Sequence, residues 1–148
     1  PLSRLRADPV GYVVRAAGRA VYFAGDTDLF PGMRELGPID NALLPIWGWG
    51  SSLGEGHLDP RRAAQATEWT DAATVLPIHW VTYSPILPQS GAPAWIADPL
   101  RRFEEALDER GLASRLRPVS PGDVIDLDAA LRAGRAGGFV RSAAALAT

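Results

Sequence analysis

Four strand-length apolar runs, separated by stretches of helical composition, predict a mixed α/β fold built around one sheet. The runs are VGYVVRA (10–16), AVYFA (20–24), NALLPI (41–46) and ATVLPI (73–78), rich in the β-branched and aromatic residues that suit a pleated surface. Between and after them, residues 60–69 and 99–110 carry helix boundaries and helix-forming composition. At 148 residues, 47% of them hydrophobic and 22% charged, the chain is one domain's worth and long enough to bury a core.

Each element follows from local signals. The first two runs flank Ala17-Gly18-Arg19 and read as a β-hairpin. The second run ends in the turn-like cluster Gly25-Asp26-Thr27-Asp28, and a short helix through Met33 to Leu36 closes at Gly37-Pro38. Residues 41–46 form a third strand, followed by the glycine-rich GWGSSLGEGH (48–57). Asp59 as N-cap and Pro60 at the first helical position start a helix that runs to Trp69, with Ala63, Ala64 and Ala66 available for close packing. The fourth strand ends at His79-Trp80, and Pro85, Pro88, Gly91 and Pro93 mark residues 81–93 as a surface loop. An amphipathic helix over Pro99–Arg110 stops at Gly111, and Arg115 to Leu127 reads as a final strand pair around Pro121-Gly122-Asp123. The folded domain is expected over residues 1–128, with 129–148 a low-complexity Ala/Arg/Gly tail.

Composition excludes several classes of function. A net charge of −2 argues against nucleic acid as the main partner, because phosphate binding needs a basic surface. No apolar run reaches membrane-spanning length, and no stretch is laid out as a signal peptide. All fifteen basic residues are Arg, which excludes lysine chemistry. With no cysteine, a metal here must use His, Asp or Glu, and a cytoplasmic location fits.

The rare polar groups fall at strand ends. Asp26 follows VYFAG and His79 follows TVLPI, where rigid strands deliver side chains into loops that gather ligands. Together they make an oxygen-nitrogen metal site plausible, although a catalytic zinc takes about three protein ligands. Asp26 also suits a turn residue bonding its own backbone, and His79 a satisfied, half-buried polar group. His57 either packs at a helix entrance or faces whatever binds at the strand ends. Gly50 to Gly54 fits the G-x-S-x-G nucleophile elbow with Ser52 as the serine, but no helix follows before Asp59, and the elbow requires one at once. A dinucleotide loop fails for the same reason. Trp47, Trp49, Trp80 and Tyr83 flank the strand ends and either line a substrate pocket or belong to the core.

With those residues in view, VYFAGDTDLF (21–30), IDNALLPI (39–46), GHLDPRRAAQA (56–66), LPIHW (76–80) and PVSPGDVIDL (118–127) resemble the metallo-β-lactamase superfamily. The chain looks most like the branch of ascorbate-phosphate lactonase-like and N-acyl-phosphatidylethanolamine phospholipase D-like hydrolases. The resemblance implies half of an αβ/βα sandwich with one or two divalent metal ions at one edge, zinc first, manganese or iron accepting the same ligands. It assigns Asp26 as the carboxylate bridging two metals and His79 as the last histidine ligand. It makes His57 a catalytic histidine that serves the substrate or leaving group. The activity implied is hydrolysis of a small-molecule ester, lactone or phosphodiester by metal-bound hydroxide. The family's H-x-H-x-D-H cluster is absent, so the sequence reads as the C-terminal half of such an enzyme, inactive without the N-terminal half of the same domain. Two alternatives stand beside it: a non-catalytic binding or assembly module of the same fold, and a serine hydrolase using Ser52.

Overall fold

The computed structural model describes residues 9–47, 56–80, 94–120 and 122–135. Four strands form one sheet in the order β1-β2-β3-β4: β1 (Tyr12–Ala16), β2 (Arg19–Phe23), β3 (Asn41–Pro45) and β4 (Thr74–Ile78). β1 and β2 are the expected antiparallel hairpin, with Tyr12 opposite Phe23 and Ala16 opposite Arg19. Its two-residue turn, Ala17-Gly18, has positive φ at both positions (49° and 72°), as the right-handed strand twist favours. β2, β3 and β4 run parallel, with Leu43 opposite both Phe23 and Leu76. Their C-terminal ends therefore lie along one edge of the sheet.

A 3-10 helix over Pro31–Glu35 stands where the sequence predicts a short helix. Helix α1 (Pro60–Trp69) connects β3 to β4, and the Asp59 side chain caps it by accepting from the Arg62 backbone N–H at 2.8 Å. Ala63, Ala64 and Ala66 are fully buried, and their small side chains let the helix lie close on the sheet. Residues that alternate along the strands, including Ala20, Tyr22, Ala42, Leu44 and Val75, point into this same core. Phe103, Ala106 and Leu107 of α2 (Ala94–Asp108) close it from the helix side.

Two expectations need correction. Helix α2 begins at Ala94 rather than near Pro99, so the proline sits inside it and gives up one rung of the backbone ladder. Among the described residues, the strand pair expected over Arg115–Leu127 does not form. Instead Ala113–Arg115 is a 3-10 helix, and Leu116 makes a single parallel bridge to Val75, with the Arg117 N–H donating to the Val75 carbonyl at 2.8 Å. Val75 and Pro77 are the β4 residues that face this segment, and Pro77 has no N–H to donate to the Arg117 carbonyl, so the ladder stops after one bridge. The chain then enters α3 (Leu127–Arg135), which crosses position 128 and takes in the first residues of the low-complexity segment. Arg19 of the hairpin ties to this helix through Asp128 at 2.7 Å, and Leu131 is buried.

The opposite face of the hairpin is open. Val10, Tyr12, Val14 and Phe23 are 60, 59, 58 and 42% exposed, and the strand register puts Tyr12 beside Phe23 and Val14 beside Val21 on one side.

Candidate functional site

At the C-terminal edge of the parallel strands, three polar side chains meet. Gly25 ends β2's extension with φ of 65°, and a Cβ there would stand 2.8 Å from the Val10 carbonyl oxygen. Only glycine therefore turns the chain at this point, and the turn delivers Asp26. His57 precedes the α1 cap and follows Gly56, whose φ is 89°. Its Nδ1 lies 2.8 Å from Asp26 Oδ1. His79 sits directly beyond β4 with φ of 58°, in the left-handed region that a histidine occupies at a cost of roughly 1–3 kcal/mol. Its Nδ1 is 2.8 Å from the Trp47 carbonyl oxygen and 4.0 Å from Asp26 Oδ1.

These contacts set the tautomers. A carbonyl oxygen can only accept, so His79 donates from Nδ1 and its Nε2 carries the lone pair in the neutral ring. Beside the Asp26 carboxylate, His57 likewise donates from Nδ1. In the neutral form of each ring Nε2 is then the acceptor nitrogen, the one left for a ligand or a base to use. Asp28 anchors the same loop: its carboxylate pairs with Arg62 on α1 at 2.6 Å, which ties the segment carrying Asp26 to the helix that His57 precedes.

The donor set is chemically right for a hard or borderline divalent cation, one carboxylate and imidazole nitrogens. In number it falls short. Among the described residues no group of three His, Asp or Glu is arranged to hold a metal ion. Asp26 and His79 have the chemistry of metal ligands and lie within 4.0 Å of one another, but they are two where a catalytic zinc takes about three.

The structure brings together Asp26, His57 and His79, the three polar residues singled out in the sequence, and adds the Trp47 backbone carbonyl to them. Trp47 and Trp80 are partly buried, and Trp80 packs against the core. Trp49, Ser52 and Tyr83 lie outside the described residues. At the other end of α1, Asp71 is held by Arg115 at 2.9 Å, apart from this cluster. A depression of about 590 Å³ lined by Arg15, Arg19 and Asp40 lies at the opposite end of the strands, with Arg15 committed to the Leu36 and Pro38 carbonyls. The Arg102 guanidinium of α2 stands 5.7 Å from the Trp47 ring centroid, a pairing the sequence does not foretell. No local signal marks it, because the pair is made between α2 and a residue 55 positions earlier.

The sequence model of the Beta-lactamase superfamily domain matches residues 1–80. A UPF0173 metal-dependent hydrolase of Nitratidesulfovibrio vulgaris is 38% identical over 124 residues, covering 81% of this chain and 45% of that protein. One from Thermococcus kodakarensis is 43% identical over 83 residues, 53% of this chain and 34% of that protein. Among solved structures, the metallo hydrolase Igni18 of Ignicoccus hospitalis superposes with a TM-score of 0.56 at 32% identity, over 78% of this chain and 44% of that one. The metallo-beta-lactamase fold protein YhfI of Bacillus subtilis, at 16% identity and a TM-score of 0.54, shares the fold over 78% of this chain and 44% of its own. The chain spans about half the length of the curated relatives it matches. With a family match over more than half its residues, and with its sheet and helices superposing on solved members of the fold, the chain belongs to the metallo-β-lactamase superfamily.

Proposed function

We propose that this chain forms one side of the active site of a metal-dependent hydrolase acting on a small-molecule ester, lactone or phosphodiester. The observation that carries the reading is the meeting of Asp26, His57 and His79 at one edge of the sheet, each delivered by a separate chain segment. Asp26 and His79 hold the metal. When bound, a divalent ion polarises the scissile group and lowers the pKa of water. His57, oriented by the Asp26 carboxylate, offers Nε2 to take up or return a proton at the substrate. Zinc is the first choice for these ligands, and a cytoplasmic location is in keeping with a chain that uses no cysteine. The remaining ligands come from an N-terminal half of the same domain, which covers the apolar hairpin face. Relatives about twice the length of this chain and the exposure of Tyr12 and Val14 support that partner.

The test is metal content per chain in the complete protein. Asp26→Ala and His79→Asn should each lose metal, and chelation should abolish hydrolysis while Ser52→Ala leaves it. Full metal stoichiometry in both variants refutes the assignment. A non-catalytic module of the same fold is the second reading, favoured by the lack of a three-ligand cluster among the described residues. Chelator-sensitive hydrolysis of a p-nitrophenyl ester or phosphodiester excludes it.

A further inference from the structure

We propose that Asp28 and Arg62 are positioning residues, whose ion pair holds the segments bearing Asp26 and His57 close enough for the Asp26 carboxylate to accept from His57 Nδ1. That contact is 2.8 Å long, and each of its residues is reached through a glycine of positive φ, Gly25 and Gly56. Nothing stands within 4 Å of where a Gly56 Cβ would lie, so packing does not hold the turn into His57. Thr27 and Leu58 are buried, which fixes each segment to the interior separately. Arg62 fixes them to one another. A terminal nitrogen of its guanidinium lies 2.6 and 2.7 Å from the two Asp28 carboxylate oxygens, and Asp28 Oδ1 also accepts from the Leu29 backbone N–H at 2.6 Å. Local helix chemistry speaks against an arginine at this position. It stands in the first turn of α1, where the dipole disfavours cations and no acidic residue offsets them. The neighbouring Arg61 is exposed and reaches Glu109 only at 3.8 Å, whereas Arg62 is bonded closely to a carboxylate two residues from Asp26. A local cost kept for a tertiary contact marks a residue whose role lies outside its own helix.

The pair rests on the hydrolase reading only for what Asp26 and His57 do, and two readouts keep the two ideas apart. Nitrogen NMR of the metal-free complete protein at about pH 8 reports the His57 ring tautomer, its signal assigned by its loss in His57→Gln. Competition with a chelating dye gives the zinc Kd of the same preparations. The parent should hold the Nδ1–H tautomer, because the hydrogen bond a ring nitrogen makes decides where the proton sits. Arg62→Met and Asp28→Asn should each shift His57 toward the Nε2–H tautomer. Each should also raise the zinc Kd about tenfold, the loss expected when a group that orients a metal ligand is removed. The double variant should lose no more than the worse single one, and Arg62→Lys should restore most of the parent signal. Asp28→Asn keeps the shape of the side chain and its acceptance from Leu29, so it decides the matter if Arg62→Met does not fold. A pair that served folding alone would lower the melting temperature and leave the site untouched. Parent values in the variants for the ring nitrogens or, in a protein that binds zinc, for Kd therefore overturn the proposal, as does an Nε2–H tautomer in the parent. A parent that binds no zinc overturns the metal reading instead, and the ring nitrogens then decide the pair by themselves.

Discussion

Tyr22 is 1% exposed, and neither its hydroxyl nor the buried Thr27 hydroxyl has a partner at hydrogen-bond geometry. An unsatisfied buried hydroxyl forfeits about 1–3 kcal/mol relative to one that is paired. Burial also pushes the Tyr22 phenol up from its ordinary value of 10.0. The sign follows from linkage. The folded state resists the phenolate, so the stability tied to Tyr22 is intact below pH 10 and is lost as pH rises toward the raised folded value. Tyr22→Phe removes both penalties while keeping the ring. Its melting temperature at pH 7 should equal or exceed that of the parent, and its decline between about pH 9 and 11 should be shallower. A variant that melts several degrees lower at pH 7, measured by circular dichroism, would show the hydroxyl to be satisfied.

Helix α1 is the element on which the site leans, since His57 precedes it and Arg62 anchors the Asp26 loop. Asp59→Ala removes the side chain that accepts from the Arg62 N–H and should destabilise the fold by about 1 kcal/mol. Chemical denaturation should register that as a lower midpoint with an unchanged slope; an unmoved midpoint would mean that another group takes over the cap. This helix and the hairpin were legible in the sequence because their signals are local: Asp-Pro at a start, Ala-Gly at a turn. The Leu116–Leu127 segment was not. Its alternation resembles a strand, but whether a strand forms depends on donors along the edge of β4, and Pro77 there supplies none. Asp26 and His79 could be read from their places after strands, whereas the Trp47 carbonyl comes to them by tertiary contact alone.

For the molecule as a whole, the sheet is asymmetric. Alanine-faced α1 and the Phe103 face of α2 cover one side, while the other carries Tyr12, Val14 and Phe23 in contact with solvent. Soluble monomers rarely present such a contiguous apolar surface without a use for it. Produced alone, the 148-residue chain should bind the dye ANS, and the triple variant Tyr12→Thr, Val14→Thr, Phe23→Thr should cut that fluorescence by about half or more. In the complete protein the β1 amides should exchange slowly, with little dye bound. Fast β1 exchange there would show that nothing covers the hairpin.

His79 combines two demands that one substitution cannot separate by accident. Its ring serves the site, while its backbone holds a left-handed turn at φ of 58° that ordinary side chains avoid. Replacement by valine or isoleucine would therefore disturb the exit of β4 before any chemistry is tested, and even alanine mixes the two effects. Asparagine tolerates that conformation and has no imidazole. At this position it is the substitution that isolates the ring's contribution, leaving the path of the chain as the constant.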